Sequence, residues 1–274
     1  MRVTVPVEIK LRDLHGAIWL TLKLLERGYE VVLGETDSIR NGIDLLEPDV
    51  FIRIGISTNP DIISTCKYLQ STGCSVIVVD SEGGVSQTDD RFREMNPSSG
   101  MLQYTDAYFS WGQEQADIIT DTHGYPEESA ILSGHPRFDL LHDSLRKIYA
   151  PQRSKVLDTV GQYILVCTNF VFANSAALDE SEFPPDEVEL QSTLLEEYRS
   201  LVMRLASDFD QHSIIVRPNP MESEMSYREH FSDIDTVSVR REGDVRPWLF
   251  GADAMVHYNS TTGIESALFG TLPV

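Results

Sequence analysis

The sequence predicts an α/β protein built as two doubly wound halves, each a parallel sheet with helices on both faces. Three observations predict it. Short strand-like runs that are apolar throughout alternate with segments whose apolar residues recur at a period near 3.6. Glycines such as Gly28 and Gly73 follow the helical segments where a C-cap is expected. After a charged connector the alternation begins again. A chain of 274 residues has room for two domains, and a hydrophobic content of 41% is enough to bury two cores.

The elements follow in order. Val3 to Glu8 reads as the first strand, and Leu14 to Arg27 as a helix with Leu14, Ala17, Ile18, Thr21, Leu22 and Leu25 on its apolar face. Val31 to Leu33 is the second strand and Val50 to Ile54 the third. Pro60 opens a helix through Leu69, and Ser75 to Val79 is a buried strand. Tyr108 to Trp111, the helix Glu114 to Asp121 and the strand Ala130 to Leu132 complete the first cycle. Leu145 to Gly161 is a helical connector carrying Pro151, and Tyr163 to Cys167 is a strongly apolar strand. Asp179 to Glu189, acidic and with Pro184-Pro185, reads as a surface loop, and Leu190 to Phe209 as a long amphipathic helix. Strands at Ile214 to Val216, Ile234 to Val239 and Ala254 to Val256, then a helix from Ser260 to Phe269, fill the second half. The domains are expected at 1–153 and 154–274. Gly270 to Val274 enters a further parallel strand, which leads to the expectation of a C-terminal domain truncated by at least one strand.

Twenty-two Lys+Arg stand against 43 Asp+Glu, a formal net charge of -21. That acidity excludes a phosphate-backbone reader of nucleic acid and a polybasic docker on anionic lipid. No run of about 20 apolar residues exists to span a bilayer, and no leader pattern opens the chain, so a cytoplasmic location is expected. The carboxylate excess and scarce lysine fit a protein working in high salt, where ions screen self-repulsion. The melting temperature is then expected to rise from near-zero to molar salt; a flat or falling profile removes this reading. Cys66, Cys74 and Cys167 have no metal spacing and are expected as buried free thiols.

Ligands of open α/β sheets bind beyond the carboxyl ends of the strands, so those loops carry the functional reading. His257-Tyr258-Asn259-Ser260-Thr261-Thr262-Gly263-Ile264-Glu265 follows a strand and opens a helix. Hydroxyls, glycine and free N–H groups at a helix start suit a phosphate or pyrophosphate; a plain N-cap explains one of these residues but not the run. Glu265, one turn in, is placed to accept from sugar or ribose hydroxyls, or is a solvated helix carboxylate. Arg217-Pro218-Asn219-Pro220 offers a guanidinium fork on a rigid turn. Asp80-Ser81-Glu82-Gly83-Gly84 either supplies a general base or is an acidic turn. In Ser133 to Asp139, His135 and Arg137 are candidates to face a cleft. No G-x-x-x-x-G-K-[ST] loop, no G-x-G-x-x-G after the first strand and no G-x-S-x-G elbow occurs. No H-x-x-x-H or H-E-x-x-H pair occurs either, so no metal site is expected.

Taken together these loops resemble the surface carbohydrate biosynthesis proteins, which are GT-B-like and related in outline to capsule Kdo transferases and CDP-glycerol glycerophosphotransferases. The resemblance runs from Lys10-Leu11-Arg12-Asp13-Leu14 through Asp80-Ser81-Glu82-Gly83, Ser110-Trp111-Gly112, Gly134 to Leu141, Cys167 to Phe170 and Arg217 to Pro220, ending in the His257 to Glu265 segment. It implies two Rossmann-like domains facing a cleft, the nucleotide sugar held mainly by the second half and a glycan or lipid-linked glycan acceptor by the first, with no cofactor. A site peripheral to the inner membrane face fits that role. By motif, Glu82 matches the base and Asp80 its neighbour; Arg12, Asp13, His15, His135 and Arg137 are the acceptor-side candidates. Arg217, Asn219, His257, Asn259, Ser260, Thr261, Thr262, Gly263 and Glu265 are the donor-side candidates. Asn219 stands where related transferases place the histidine of a His-Pro turn; asparagine donates a hydrogen bond but carries no charge. Transfer of a sugar from a nucleotide donor is the leading expectation. Non-hydrolysing sugar-nucleotide 2-epimerisation, or nucleotide-sugar binding without turnover, are the alternatives.

Overall fold

A computed structural model describes residues 1–81, 99–177 and 183–274. The chain divides into two units, Met1–Leu140 and Leu141–Val274.

The first unit is a six-stranded parallel sheet in the order β2-β1-β3-β4-β5-β6. Its strands are β1 (Arg2–Val7), β2 (Glu30–Glu35), β3 (Val50–Ile54), β4 (Ser75–Val79), β5 (Ala107–Ser110) and β6 (Ala130–Leu132). Its helices are α1 (Lys10–Glu26), α2 (Thr36–Asn41), α3 (Ile43–Leu46), α4 (Pro60–Ser71), α5 (Ser99–Leu102), α6 (Gln113–His123) and α7 (Pro136–Asp139). Alternate residues of the central strands feed two cores, as a strand period of two requires. Phe51, Val76, Val78 and Tyr108 pack under α4 and α6, while Val3, Val5, Val7 and Ile52 pack under α1.

Helix α1 shows where periodicity misleads. Leu14, Ala17, Leu20 and Leu24 lie on the sheet, but Ile18, Leu22 and Leu25 are exposed. Leucines occupy both sides of this helix, and the sheet covers only one. Its contact with α7 depends on Gly16. A methyl group there would lie 2.9 Å from the Arg137 backbone nitrogen and 3.0 Å from its Cα. Gly→Ala inside an exposed helix gains about 1 kcal/mol of propensity. Here Gly16→Ala is expected instead to destabilise by about 1–3 kcal/mol, because two backbones must separate. Equilibrium unfolding in urea decides the sign.

The second unit is a five-stranded parallel sheet in the order β11-β10-β7-β8-β9. It comprises β7 (Tyr163–Cys167), β8 (Ser213–Arg217), β9 (Val237–Val239), β10 (Ala254–His257) and β11 (Leu272–Pro273). The helices are α8 (Ala150–Val160), α9 (Pro185–Asp208), α10 (Glu224–His230), α11 (Arg246–Gly251) and α12 (Thr262–Phe269). The division lies ahead of the 153/154 boundary read from the sequence because Arg146 and Tyr149 already contact Phe269 and α8 docks on α11. Arg153 Nε donates to the Phe250 carbonyl at 2.9 Å.

Helix α9 begins at Pro185, inside the stretch read as loop, since proline at a helix start fixes a helical φ and forfeits no bond. Strand β9 is shorter than Ile234 to Val239, because Ile234 ends a turn and accepts from the Val237 N–H. All three cysteines are free and buried. Burial pushes their thiols up, Cys66 and Cys74 to about 11 and Cys167 to about 12, so they stay protonated and inert. Among the described residues no helix is long and apolar enough to cross a membrane.

Candidate functional site

In each sheet the strand order reverses once, and the crevice at the carboxyl ends there is the place where such folds admit ligands. In the second unit the reversal lies between β7 and β10. The residues just beyond those strands are Thr168-Asn169-Phe170 and Tyr258 to Thr262. Asn169 ties the two loops together, its Nδ2 donating to the Asn259 carbonyl at 3.1 Å. Asn259 has a left-handed backbone (φ 42°), which turns the chain sharply from strand into helix. Ser260 Oγ accepts from the Thr262 N–H at 3.3 Å and shares a 2.7 Å hydrogen bond with Thr262 Oγ1. The Thr261 hydroxyl has no hydrogen-bond partner among the described residues. The run thus contains both a cap and a surplus donor at the positive end of α12.

Gly263 is dictated by His257. A methyl group at Gly263 would lie 2.3 Å from Nε2 of the imidazole, so only glycine lets the ring lie against the first turn of α12. Burial lowers the His257 pKa, leaving the ring neutral at pH 7, and its Nδ1 is shielded, with no hydrogen-bond partner among the described residues. It offers a hydrogen bond rather than a charge.

Two residues read as nucleotide contacts are committed to the unit's own frame. Arg217 is buried and donates through Nη1 to the Glu242 carbonyl (3.1 Å) and through Nη2 to the Gly243 carbonyl (2.5 Å). Its guanidinium also lies 5.9 Å from the Trp248 ring centre. Glu265 is 3% exposed and ion-pairs with the buried Arg246 at 3.6 Å. Burial alone would lower the Arg246 pKa, but Glu265 and Asp244 outweigh it and hold the guanidinium above its ordinary value.

Glu222 escaped the sequence reading altogether. It is fully buried and accepts four hydrogen bonds: Thr168 Oγ1 (2.6 Å), Phe170 N (2.9 Å), Asn219 N (2.8 Å) and Tyr227 OH (2.8 Å). Asn219 in turn donates from Nδ2 to Asn169 Oδ1 at 3.1 Å and accepts from the Met221 N–H. One carboxylate therefore sets the loops after β7 and β8, and through Asn169 the loop after β10.

In the first unit the order reverses between β1 and β3. Asp13 is buried on α1, accepts from the Ile9 N–H at 2.8 Å and pairs with Arg12 Nε at 2.7 Å. Arg12 also reaches Glu8 (3.1 Å) and Ser81 Oγ (3.5 Å). A cavity of about 40 Å³, roughly the space of one water, lies beside Asp13, Gly16, Ser81 and His135. His135 caps α7, its Nδ1 accepting from the Arg137 N–H at 3.2 Å. Arg137 is fully buried, 5.0 Å from the Trp111 ring centre and 4.9 Å from that of Phe138. His15 lies on the exposed side of α1.

Asp80 is the focus of a buried network. It accepts from Tyr108 OH at 2.5 Å, Tyr108 accepts from Gln115 Nε2 at 2.9 Å, and Trp111 Nε1 donates to the Asp80 carbonyl at 2.6 Å. Burial and the neighbouring Asp80 push the Tyr108 phenol far above its ordinary range, so it remains a donor. This network fixes the backbone from which Ser81 departs. Glu82 lies outside the described residues.

No family model and no curated protein matches the chain. Solved structures do. The Neisseria meningitidis UDP-GlcNAc 2-epimerase bound to UDP-GlcNAc aligns with a TM-score of 0.69 at 10% identity, over 100% of this chain and 82% of that one. S. aureus MnaA, solved with UDP, gives 0.68 at 14% identity, over 99% and 78%. The wall teichoic acid polymerase TagF gives 0.61 at 10% identity, over 100% and 69%. The fold is GT-B-like: two Rossmann-like parallel-sheet domains.

Proposed function

We propose that this protein is an enzyme acting on a nucleotide sugar. The observation that carries the reading is the Asn259 to Gly263 segment, which opens α12 at the β7/β10 reversal with a surplus hydroxyl at Thr261. There the diphosphate accepts from the Thr261 hydroxyl at the positive end of α12, beside the neutral ring of His257. Arg217 and Glu222 act through the loops they brace rather than on the ligand.

For the reaction, the proposal is transfer of the sugar to a hydroxyl of a surface glycan or lipid-linked glycan, Glu82 removing the acceptor proton. Preorganised donors at the diphosphate stabilise the charge of the leaving nucleotide. The motif order supports this reading, and so does the likeness to a teichoic acid polymerase. A second reading, 2-epimerisation of a nucleotide sugar, is favoured by the likeness to epimerases, one of them bound to UDP-GlcNAc. Incubation with a panel of nucleotide sugars, followed by chromatography of the nucleotide products, separates them. Free nucleotide released only when a glycan acceptor is added supports transfer. An epimerised nucleotide sugar formed without acceptor supports the second reading, and no turnover of any bound donor removes both.

A further inference from the structure

Helix α1 carries a seam on the side opposite the sheet. Leu11, His15, Ile18, Leu22 and Leu25 are all exposed there, the four apolar ones at 39–50%. Their separations of four, three, four and three residues are the a/d repeat of a coiled coil, in which each such side chain inserts between those of a facing helix. Single exposed leucines are ordinary, but a contiguous apolar stripe marks an interaction surface.

Two observations name what covers it. The seam is its own complement. Leu11 and Leu25 lie seven residues on either side of Ile18, so a two-fold axis at Ile18 sets Leu11 against the partner's Leu25 and Ile18 against the partner's Ile18. The charges fit that antiparallel register. It brings Lys10 beside the partner's Glu26, whereas a parallel pair would set Lys10 and Arg12 each against its own copy and align the two helix dipoles. The chain as a whole stands at -21, yet Lys10 to Arg27 holds Lys10, Arg12, Lys23 and Arg27 against Asp13 and Glu26. Two copies of so acidic a chain therefore repel least through this helix.

We propose that the outer face of α1 is the interface of an antiparallel, two-fold homodimer of this chain. The seam is far smaller than the roughly 20–30 residues a side of a standard interface, so the dimer is reversible and depends on concentration. Salt favours it, because ions screen the repulsion between two acidic bodies and leave an apolar seam intact.

The test is sedimentation equilibrium of the full chain from micromolar to several hundred micromolar, in dilute and in molar sodium chloride. The average mass is expected to rise toward twice that of the monomer with concentration, and further in molar salt. Ile18→Glu is expected to stay monomeric with Tm nearly unchanged, since the position is exposed. An equimolar mixture of Ile18→Glu and Ile18→Lys is expected to dimerise again, because position 18 then meets its opposite charge. Mild oxidation is expected to join Leu11→Cys to Leu25→Cys in a mixture and neither to itself, the native thiols being buried. A monomer at every concentration in both salts, a dimer that survives Ile18→Glu, or a disulfide dimer of Leu11→Cys alone overturns the proposal. Should Ile18→Glu fail to fold, the cysteine pair decides, and the lack of a mixed disulfide overturns it.

Discussion

Glu222→Ala is expected to destabilise the second unit by about 2–6 kcal/mol, since it strands the buried N–H groups of Phe170 and Asn219 at about 1–3 kcal/mol each. The hydroxyls of Thr168 and Tyr227 lose the same acceptor, though a hydroxyl can rotate toward another. The effect extends beyond stability, because Asn219 and Asn169 pass the geometry of this carboxylate to the loop that opens α12. Nucleotide binding should therefore weaken in any fraction that still folds. Urea unfolding followed by fluorescence measures the first effect and calorimetric titration the second. A loss below about 1 kcal/mol would mean that water replaces the carboxylate without strain.

The second large effect concerns Glu82. Glu82→Gln is expected to slow transfer by roughly 10²–10⁴-fold, the usual range for loss of a general base, with nucleotide affinity nearly unchanged. Its neighbour should behave differently. Asp80 accepts from Tyr108 inside the unit, so Asp80→Asn is expected to lower stability together with rate. Wild-type turnover in Glu82→Gln would assign the base elsewhere and leave Glu82 an acidic turn residue.

Much of the fold was legible because buried parallel strands write continuous apolar runs, and ten of the eleven strands coincide with such runs or overlap them closely. The missed helices share a physical cause. Helices α2 and α10 are about two turns or less, too short for a period to register, and α11 contains Arg246-Pro247-Trp248-Leu249, buried on every side. The Ser260 to Gly263 segment was legible from residue types alone. Glu222 was not, since a glutamate after a proline turn in an acidic chain looks like one more surface charge. Its role depends on donors from Thr168 and Phe170, 54 and 52 residues away in sequence, as well as on the nearby Asn219 and Tyr227. The same limit hid the partners of Arg217 and Glu265. Both are polar residues near strand ends, and only the packing reveals that their partners are internal.

The central claim is that the start of α12 receives a nucleotide diphosphate. Calorimetric titration of UDP, CDP and GDP into the wild-type chain and into Thr261→Glu tests it most directly. A carboxylate at the first turn is favourable to the helix itself, so the variant should keep its fold while repelling an anion. The expected result is saturable binding of at least one nucleotide to the wild type, weakened at least about tenfold in Thr261→Glu, a difference of about 1.4 kcal/mol. Equal affinity in the two proteins, or no binding of any of the three nucleotides to the wild type, would contradict it.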